Sequence, residues 1–247
     1  MDERPGFWEQ VASTYTASEQ GDAPERIVEY LADSGILHPK DCVLEVGCGP
    51  GTYSSIMASK VRILVCMDSS DTMLDRMTAR MKENGLTNFE RFRKDWNGYS
   101  PRKGYDVCIS TLCTGSSSGS SLERIEATAR RSCVVISWED RGSDSLVGIL
   151  SKNSDIDWGM PRDDPCEVER WLYSKGRDFA ATSFRIDSDI SEPLETAVRR
   201  MADRAVALDP GADAEDEARR ILGPLSENGI LRTRANGTLR LVHWNVG

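Results

Sequence analysis

The sequence predicts a doubly wound α/β protein: a mostly parallel sheet with helices on both faces, an antiparallel C-terminal strand, and a helical insertion ahead of it. Three observations carry this reading. Short apolar runs such as CVLEV (42–46) and VRILVCM (61–67) look like strands buried on both faces. Helical patterns alternate with them at the spacing of right-handed βαβ units. In the last hundred residues the alternation gives way to helices and then to strand patterns again.

Each element has its own cause. In 24–34, Ile27, Val28 and Leu31 share one helical face, and Gly35 follows as a stop. Strand 42–46 enters a glycine-rich turn. After strand 61–67, Ser70 can cap a helix carrying Met73, Leu74, Met77 and Met81, which ends at Asn84-Gly85. A strand at 89–92, a strand at 105–110, a helix over 121–131 and a strand at 132–138 follow. TGSSSGSS (114–121) reads as a mobile loop. Helices are expected at 144–152 and 165–175, and a strand at 179–187. Ser191 is expected to cap a helix with Pro193 in its first turn and Leu194, Val198, Met201, Ala205 and Leu208 on one face. An acidic helix follows Asp213. Asn236-Gly237, between LRTRA and TLRLVHW, is a hairpin signal. The expected organisation is an N-terminal helical cap (1–35), a core (36–190), a helical insertion (191–228) and final strands (229–247).

Charge and composition exclude several classes. With 31 Lys+Arg against 40 Asp+Glu, the net charge of -9 argues against a general nucleic-acid binder. No run approaches the roughly 18–20 apolar residues of a membrane span. The opening MDERPGFWEQ lacks the layout of a signal peptide. A cytoplasmic protein with neither membrane nor nucleic-acid partners is expected. Its 7 cysteines include no C-x-x-C pair, and there are only 2 histidines. Buried structural thiols in a reducing compartment, and no metal site, are the expectation.

The informative stretch is VLEVGCGPGTYS (43–54): a strand, then glycines at 47, 49 and 51 opening a helix. A dinucleotide loop wants G-x-G-x-x-G, and here position 52 is Thr. The pattern resembles motif I, E/D-x-G-x-G-x-G, of class I S-adenosylmethionine-dependent methyltransferases. Asp68 ends the second strand, Asp95-Trp96 follows the third, and YDVCIST (105–111) matches the fourth. FWEQVASTYTAS (7–18) resembles the aromatic lead segment of small-molecule members of that superfamily.

The resemblance implies a seven-stranded, Rossmann-like sheet that binds S-adenosylmethionine and releases S-adenosylhomocysteine. It implies that Glu45, Gly47, Cys48, Gly49 and Gly51 form the cofactor loop, Cys48 as a spacer without thiol chemistry. Asp68 would take the ribose hydroxyls, Ser69 would border the adenine and Met73 would cover it. Asp95 and Trp96 would clamp the adenine edge, Ser110 and Thr111 would border the methyl group, and Tyr15 would fold over the methionine end. Methyl transfer is an in-line displacement governed by proximity and orientation, so no catalytic residue is assigned. His38, ahead of the first strand, and His243 are poor candidates for a base; Tyr15, Glu139 and Asp140 are better placed if the acceptor needs one. STLCTGSS after the fourth strand lacks an N-P-P-Y element, which favours a small-molecule acceptor. Residues 191–228 and the loop 114–121 are expected to form a lid over it, with an oligomer interface as the other use of that apolar face. A catalytically silent cofactor-binding regulator or partner subunit is the alternative function. A nucleotide-dependent oxidoreductase is weaker, given Thr52 and Asp95-Trp96.

Overall fold

The computed structural model describes residues 6–142, 145–159, 164 and 166–246. The chain forms two compact units. The larger, residues 22–139, 162–184 and 239–247, holds most of the sheet predicted from the alternating pattern. The strands are β1 (Cys42–Val46), β2 (Ile63–Asp68), β3 (Phe89–Arg93), β4 (Tyr105–Thr111), β5 (Ala129–Arg141), β6 (Phe179–Pro193) and β8 (Ile230–Asn245), and β5, β6 and β8 each carry residues of the smaller unit as well. A short β7 (Ser226–Glu227) precedes β8. The spatial order is β3-β2-β1-β4-β5-β8-β6, and β1 to β5 pair in parallel. The order reverses between β1 and β4, so the crevice where such sheets bind ligands opens at the carboxyl ends of those two strands.

The helices of this unit follow their apolar spacing. In α2 (Ala23–Asp33), Ile27, Val28 and Leu31 are fully buried. In α4 (Asp71–Glu83), Met73, Leu74, Met77 and Met81 face inward, and Ser70 caps the start, its hydroxyl accepting from the Met73 N–H at 3.0 Å. A four-residue α3 (Ser54–Met57) follows the glycine turn, and α5 (Gly119–Thr128) precedes β5. Leu44, Val46, Val65, Cys108, Cys133 and Val135 form the sheet's part of one core. Leu122 and Ile125 of α5 and Leu172 of α7 (Glu167–Ser174) join it. Cys66, Cys108 and Cys133 are buried, Cys42 is half-buried, and all seven cysteines are free thiols.

The smaller unit gathers residues 1–21, 140–161 and 185–238. Its main core joins α6 (Leu146–Asn153), α8 (Leu194–Leu208) and α9 (Ala214–Leu222) around Leu150, Trp158, Val198, Met201, Leu222 and Leu231. Of the stripe predicted on α8, Val198, Met201 and Ala205 are buried in this core, Leu194 packs half-buried against it, and Leu208 lies half-buried at the contact with α1 (Phe7–Val11). A second contact sets Ala207 against Phe7 and Val11 of α1 (Phe7–Val11).

Four local expectations are corrected. Asn236-Gly237 makes no hairpin: β8 runs unbroken through it, and Asn236 O accepts from the Gly142 N–H at 2.9 Å. A strand lying between β5 and β6 gains ladder bonds on both sides, which outweighs a local turn preference. Ser191 is not a cap. Strand β6 continues to Pro193, and α8 starts at Leu194 without a side-chain cap. Residues 129–131 join β5 rather than the preceding helix, because Ala129 pairs with Tyr105. The Ser/Gly stretch 114–121 is packed: Ser116, Ser117 and Ser121 are buried, and Ser121 Oγ donates to Gly115 O at 2.7 Å. Small hydroxyl side chains can enter a core when each finds a partner. The first residues of the helices expected at 144–152 and 165–175, Asp144 and Pro165, lie outside the described residues. Among the described residues no helix is long and apolar enough to cross a membrane.

Candidate functional site

Strand β1 ends at Val46, and the chain turns through Gly47, Gly49 and Gly51 with φ of +70°, +52° and +82°. L-residues avoid that region, so the turn requires glycine. The three glycines differ in what surrounds them. A Cβ on Gly47 would lie 2.5 Å from Cys113 Cβ, and one on Gly51 would lie 2.8 Å from Met77 Cγ. At Gly49 it would meet nothing within 4 Å. Two glycines are therefore required by protein packing, whereas the middle one faces open space.

Asp68 anchors that middle glycine. Its Oδ2 accepts from the Gly49 N–H at 2.8 Å and its Oδ1 from the Ser70 N–H at 3.0 Å. The parallel register puts Val46 opposite Met67, so Asp68 stands one residue beyond the end of β1, beside the loop. The Asp68 side chain is buried, at 8% exposure. Met67 O receives the N–H groups of Gly47 and Cys48 at 2.8 and 3.0 Å.

Beneath the loop lies Glu45, fully buried. Ser54 Oγ donates to its Oε2 at 2.5 Å and Thr111 Oγ1 to its Oε1 at 2.9 Å. Burial pushes its carboxyl up to about 7; the Ser54 and Thr111 hydrogen bonds oppose that shift, and the charge of Asp68 adds to it. Glu45 therefore ties the start of α3 to the end of β4 under the glycine turn. Cys48 is buried, and hydrogen bonding to Cys66, burial and neighbouring carboxylates raise its thiol well above the ordinary range.

The other expected site residues divide. Ser69 is exposed beside Asp68, and Met73 is buried on α4. Asp95 is exposed after β3, with Oδ1 accepting from the Asn97 N–H at 2.8 Å. Trp96 is buried, stacked on Tyr99 with ring centroids 5.4 Å apart, and its indole N–H has no hydrogen-bond partner. Ser110 Oγ donates to Ser116 Oγ at 2.8 Å. Glu139 Oε2 accepts from Ser183 Oγ at 2.7 Å. His38 is exposed ahead of β1, and burial lowers the imidazole of His243 on β8. Tyr15 belongs to the smaller unit, near Arg141, Arg204, Glu19 and Gln20, where burial raises its phenol despite the two arginines. Sequence reasoning missed these arginines and Glu19. The available signal was the i,i+4 pair Arg200 and Arg204 amid the small, buried residues of α8.

A glycine turn at the end of β1, an acidic residue at the end of β2 and a reversal of strand order between β1 and β4 coincide at the crevice where open α/β sheets bind ligands. Residues 43–133 match the family model described as a methyltransferase domain. Over 64 residues it is 34% identical to protein-L-isoaspartate O-methyltransferase 2 of Rhodopseudomonas palustris, covering 26% of this chain and 30% of that protein. A second protein-L-isoaspartate O-methyltransferase of that species is 29% identical over 87 residues, covering 35% of this chain and 40% of the relative. The chain thus spans well under half the length of the curated relatives it matches. Among solved structures, the YcgJ protein of Bacillus subtilis shares the fold with a TM-score of 0.56 and 13% identity, over 90% of this chain and 98% of that one. Magnesium protoporphyrin IX methyltransferase of Synechocystis, solved with bound SAH, has a TM-score of 0.53 and 16% identity over 72% of this chain and 85% of its own.

Proposed function

We propose that this protein transfers a methyl group from S-adenosylmethionine to a small-molecule acceptor. The observation that carries the reading is the open space over Gly49, a left-handed glycine whose N–H is held by Asp68 at the carboxyl edge of the sheet. The residues present fit the cofactor. Asp68 stands beside the loop, where a carboxylate would face ribose hydroxyls, and the buried hydroxyl of Thr52, at the end of the glycine turn, has no partner. When bound, the cofactor supplies an electrophilic methyl group on a sulfonium.

The chain's own contribution would be to hold and orient. Gly47, Cys48, Gly49 and Gly51 would give the methionine portion close access to the backbone, with Glu45 bracing the turn from beneath. Asp68 would fix the ribose through charge-assisted bonds. Ser69, Met73, Asp95 and Trp96 would border the adenine, and Ser110 and Thr111 would stand at the end of β4 nearest the reacting group. Placement alone supplies most of the acceleration for such a displacement. An acidic chain and the absence of an N-P-P-Y element after β4 favour a small acceptor over nucleic acid.

Isothermal titration with S-adenosylmethionine, S-adenosylhomocysteine and NADH tests the reading. Binding of the first two and not the third is expected, followed by S-adenosylhomocysteine release in a metabolite screen. Binding without turnover on any acceptor would instead favour a silent cofactor-binding subunit.

A further inference from the structure

Within the larger unit, the turn after β3 stands beside Asp68. The parallel register sets Arg93 opposite Asp68, and Asp68 O accepts from the Lys94 N–H at 2.9 Å, so Asp95 follows two residues beyond that pairing. Asp95 Oδ1 accepts from the Asn97 N–H at 2.8 Å and closes a short turn, while its Oδ2 makes no hydrogen bond among the described residues. Helix α5 reaches the same turn with one arginine. Arg124 Nη2 donates to Asn97 O at 3.2 Å, and its guanidinium carbon lies over the Trp96 ring, 5.5 Å from the centroid. Trp96 is stacked on Tyr99 and joins the core that holds Leu122 and Ile125 of α5.

Ion pairing does not account for Arg124. Of its α5 neighbours, Glu123 is engaged by Lys175, and Glu126 by Arg177 and the Trp244 indole. Arg124 Nη1 is buried with no acceptor among the described residues. A buried donor left without a bond is unfavourable. The contacts that the side chain does make both go to one turn: its flat face to Trp96 and one arm of its fork to the Asn97 carbonyl. A guanidinium can stack on a ring and donate in its own plane at once, which an ammonium cannot. Arg124 thereby fixes the Trp96–Asn97 segment against which the Asp95 carboxylate is hydrogen-bonded.

We infer that Arg124 is a positioning residue for base recognition: by holding the turn, it aims Asp95 at the 6-amino group of the cofactor's purine. This rests on the methyltransferase reading and on Asp95 meeting that amine. The amine donates and the carboxylate accepts, whereas a 6-oxo purine presents a second acceptor at that position.

The test is calorimetry of the whole chain with S-adenosylhomocysteine and S-inosylhomocysteine, which differ at position 6 of the purine. Wild type should bind the first about tenfold tighter, the effect of one charge-assisted hydrogen bond. Arg124→Met keeps most of the stem and should bring the ratio to within about threefold. A residue that only supported the fold would weaken both ligands by the same factor. Asp95→Ala should lower the ratio as Arg124→Met does. The double variant should lose no more selectivity than Asp95→Ala alone, since both residues act through one contact. Should Arg124→Met fail to fold, Arg124→Lys takes its place with the same expectation. An unchanged ratio in the Arg124 variant, or additive losses in the double variant, would overturn the inference. A wild type that binds both ligands alike would overturn it through Asp95 and leave the methyltransferase reading standing. A wild type that binds neither S-adenosylhomocysteine nor S-adenosylmethionine would overturn both.

Discussion

Around Asp68, a carboxylate is met by the backbone N–H groups of Gly49 and Ser70, from the turns after β1 and β2, and the neighbouring acid, Glu45, has a hydroxyl on each oxygen. Around Glu19, a carboxylate is met by three arginines drawn from β5 and α8, and Arg204 ends without an acceptor. The first centre is built from main chain and short side chains at the carboxyl ends of β1, β2 and β4. The second is built from long side chains far apart in sequence. A backbone-built site tolerates few substitutions because the turn itself is the device. A side-chain-built cluster can be retuned one residue at a time.

The largest effect expected in the backbone-built centre comes from its glycines, and it should split by position. Gly49→Val should weaken S-adenosylmethionine binding roughly a hundredfold, since its side chain would occupy the open space and strain the positive φ. Far-UV circular dichroism should show the sheet intact. Gly47→Ala should instead destabilise the fold by about 3 kcal/mol, from positive φ and overpacking against Cys113. If both variants lose binding and stability alike, the distinction between a ligand-facing and a packing glycine fails.

Next in size is a pH effect from Glu45. Its carboxyl rises from an ordinary 4.5 to about 7 in the fold, so the folded state holds a proton that the unfolded chain has released. Stability is therefore fully present below pH 4.5 and falls as pH rises toward 7. The full fall would be about 3 kcal/mol, an upper estimate for a buried group. Urea unfolding of wild type and Glu45→Gln from pH 4.5 to 8 checks this: the slope should flatten in the variant, and equal slopes would place Glu45 outside the linkage.

Asp68→Ala should cost about tenfold in affinity for both S-adenosylmethionine and S-adenosylhomocysteine, the size of one charge-assisted hydrogen bond. Calorimetry showing less than a twofold change would reduce Asp68 to a brace for Gly49 and Ser70. The smallest effect belongs to Cys48: with its thiol raised and buried, Cys48→Ala should leave affinity within about twofold, and iodoacetamide at pH 8 should not label it. Labelling at that position would mark a reactive thiol instead.

How much of this was legible follows from the same contrast. The run 43–54 signals its turn because glycine at 47, 49 and 51 has one main reason to recur, and the acid at 68 follows a strand of clear length. Cap, helix face and strand agreed at Ser70 and α4 because local preference and tertiary packing pointed the same way. They disagreed at Asn236-Gly237, where pairing on both sides of β8 overrode a strong local turn signal. They disagreed again at 114–121, where a Ser/Gly composition typical of loops was packed through its hydroxyls.

The sequence by itself determined the alternation of buried strands and amphipathic helices, the left-handed glycine turn after β1 and the acid at the end of β2, because each depends on residues within one or two elements. Tertiary structure alone decided which glycine faces open space, that Glu45 is sealed beneath the turn, and that Glu19 meets Arg141, Arg200 and Arg204. Burial and charge balance are properties of neighbours in space, and a linear pattern holds no record of which distant side chains will share them.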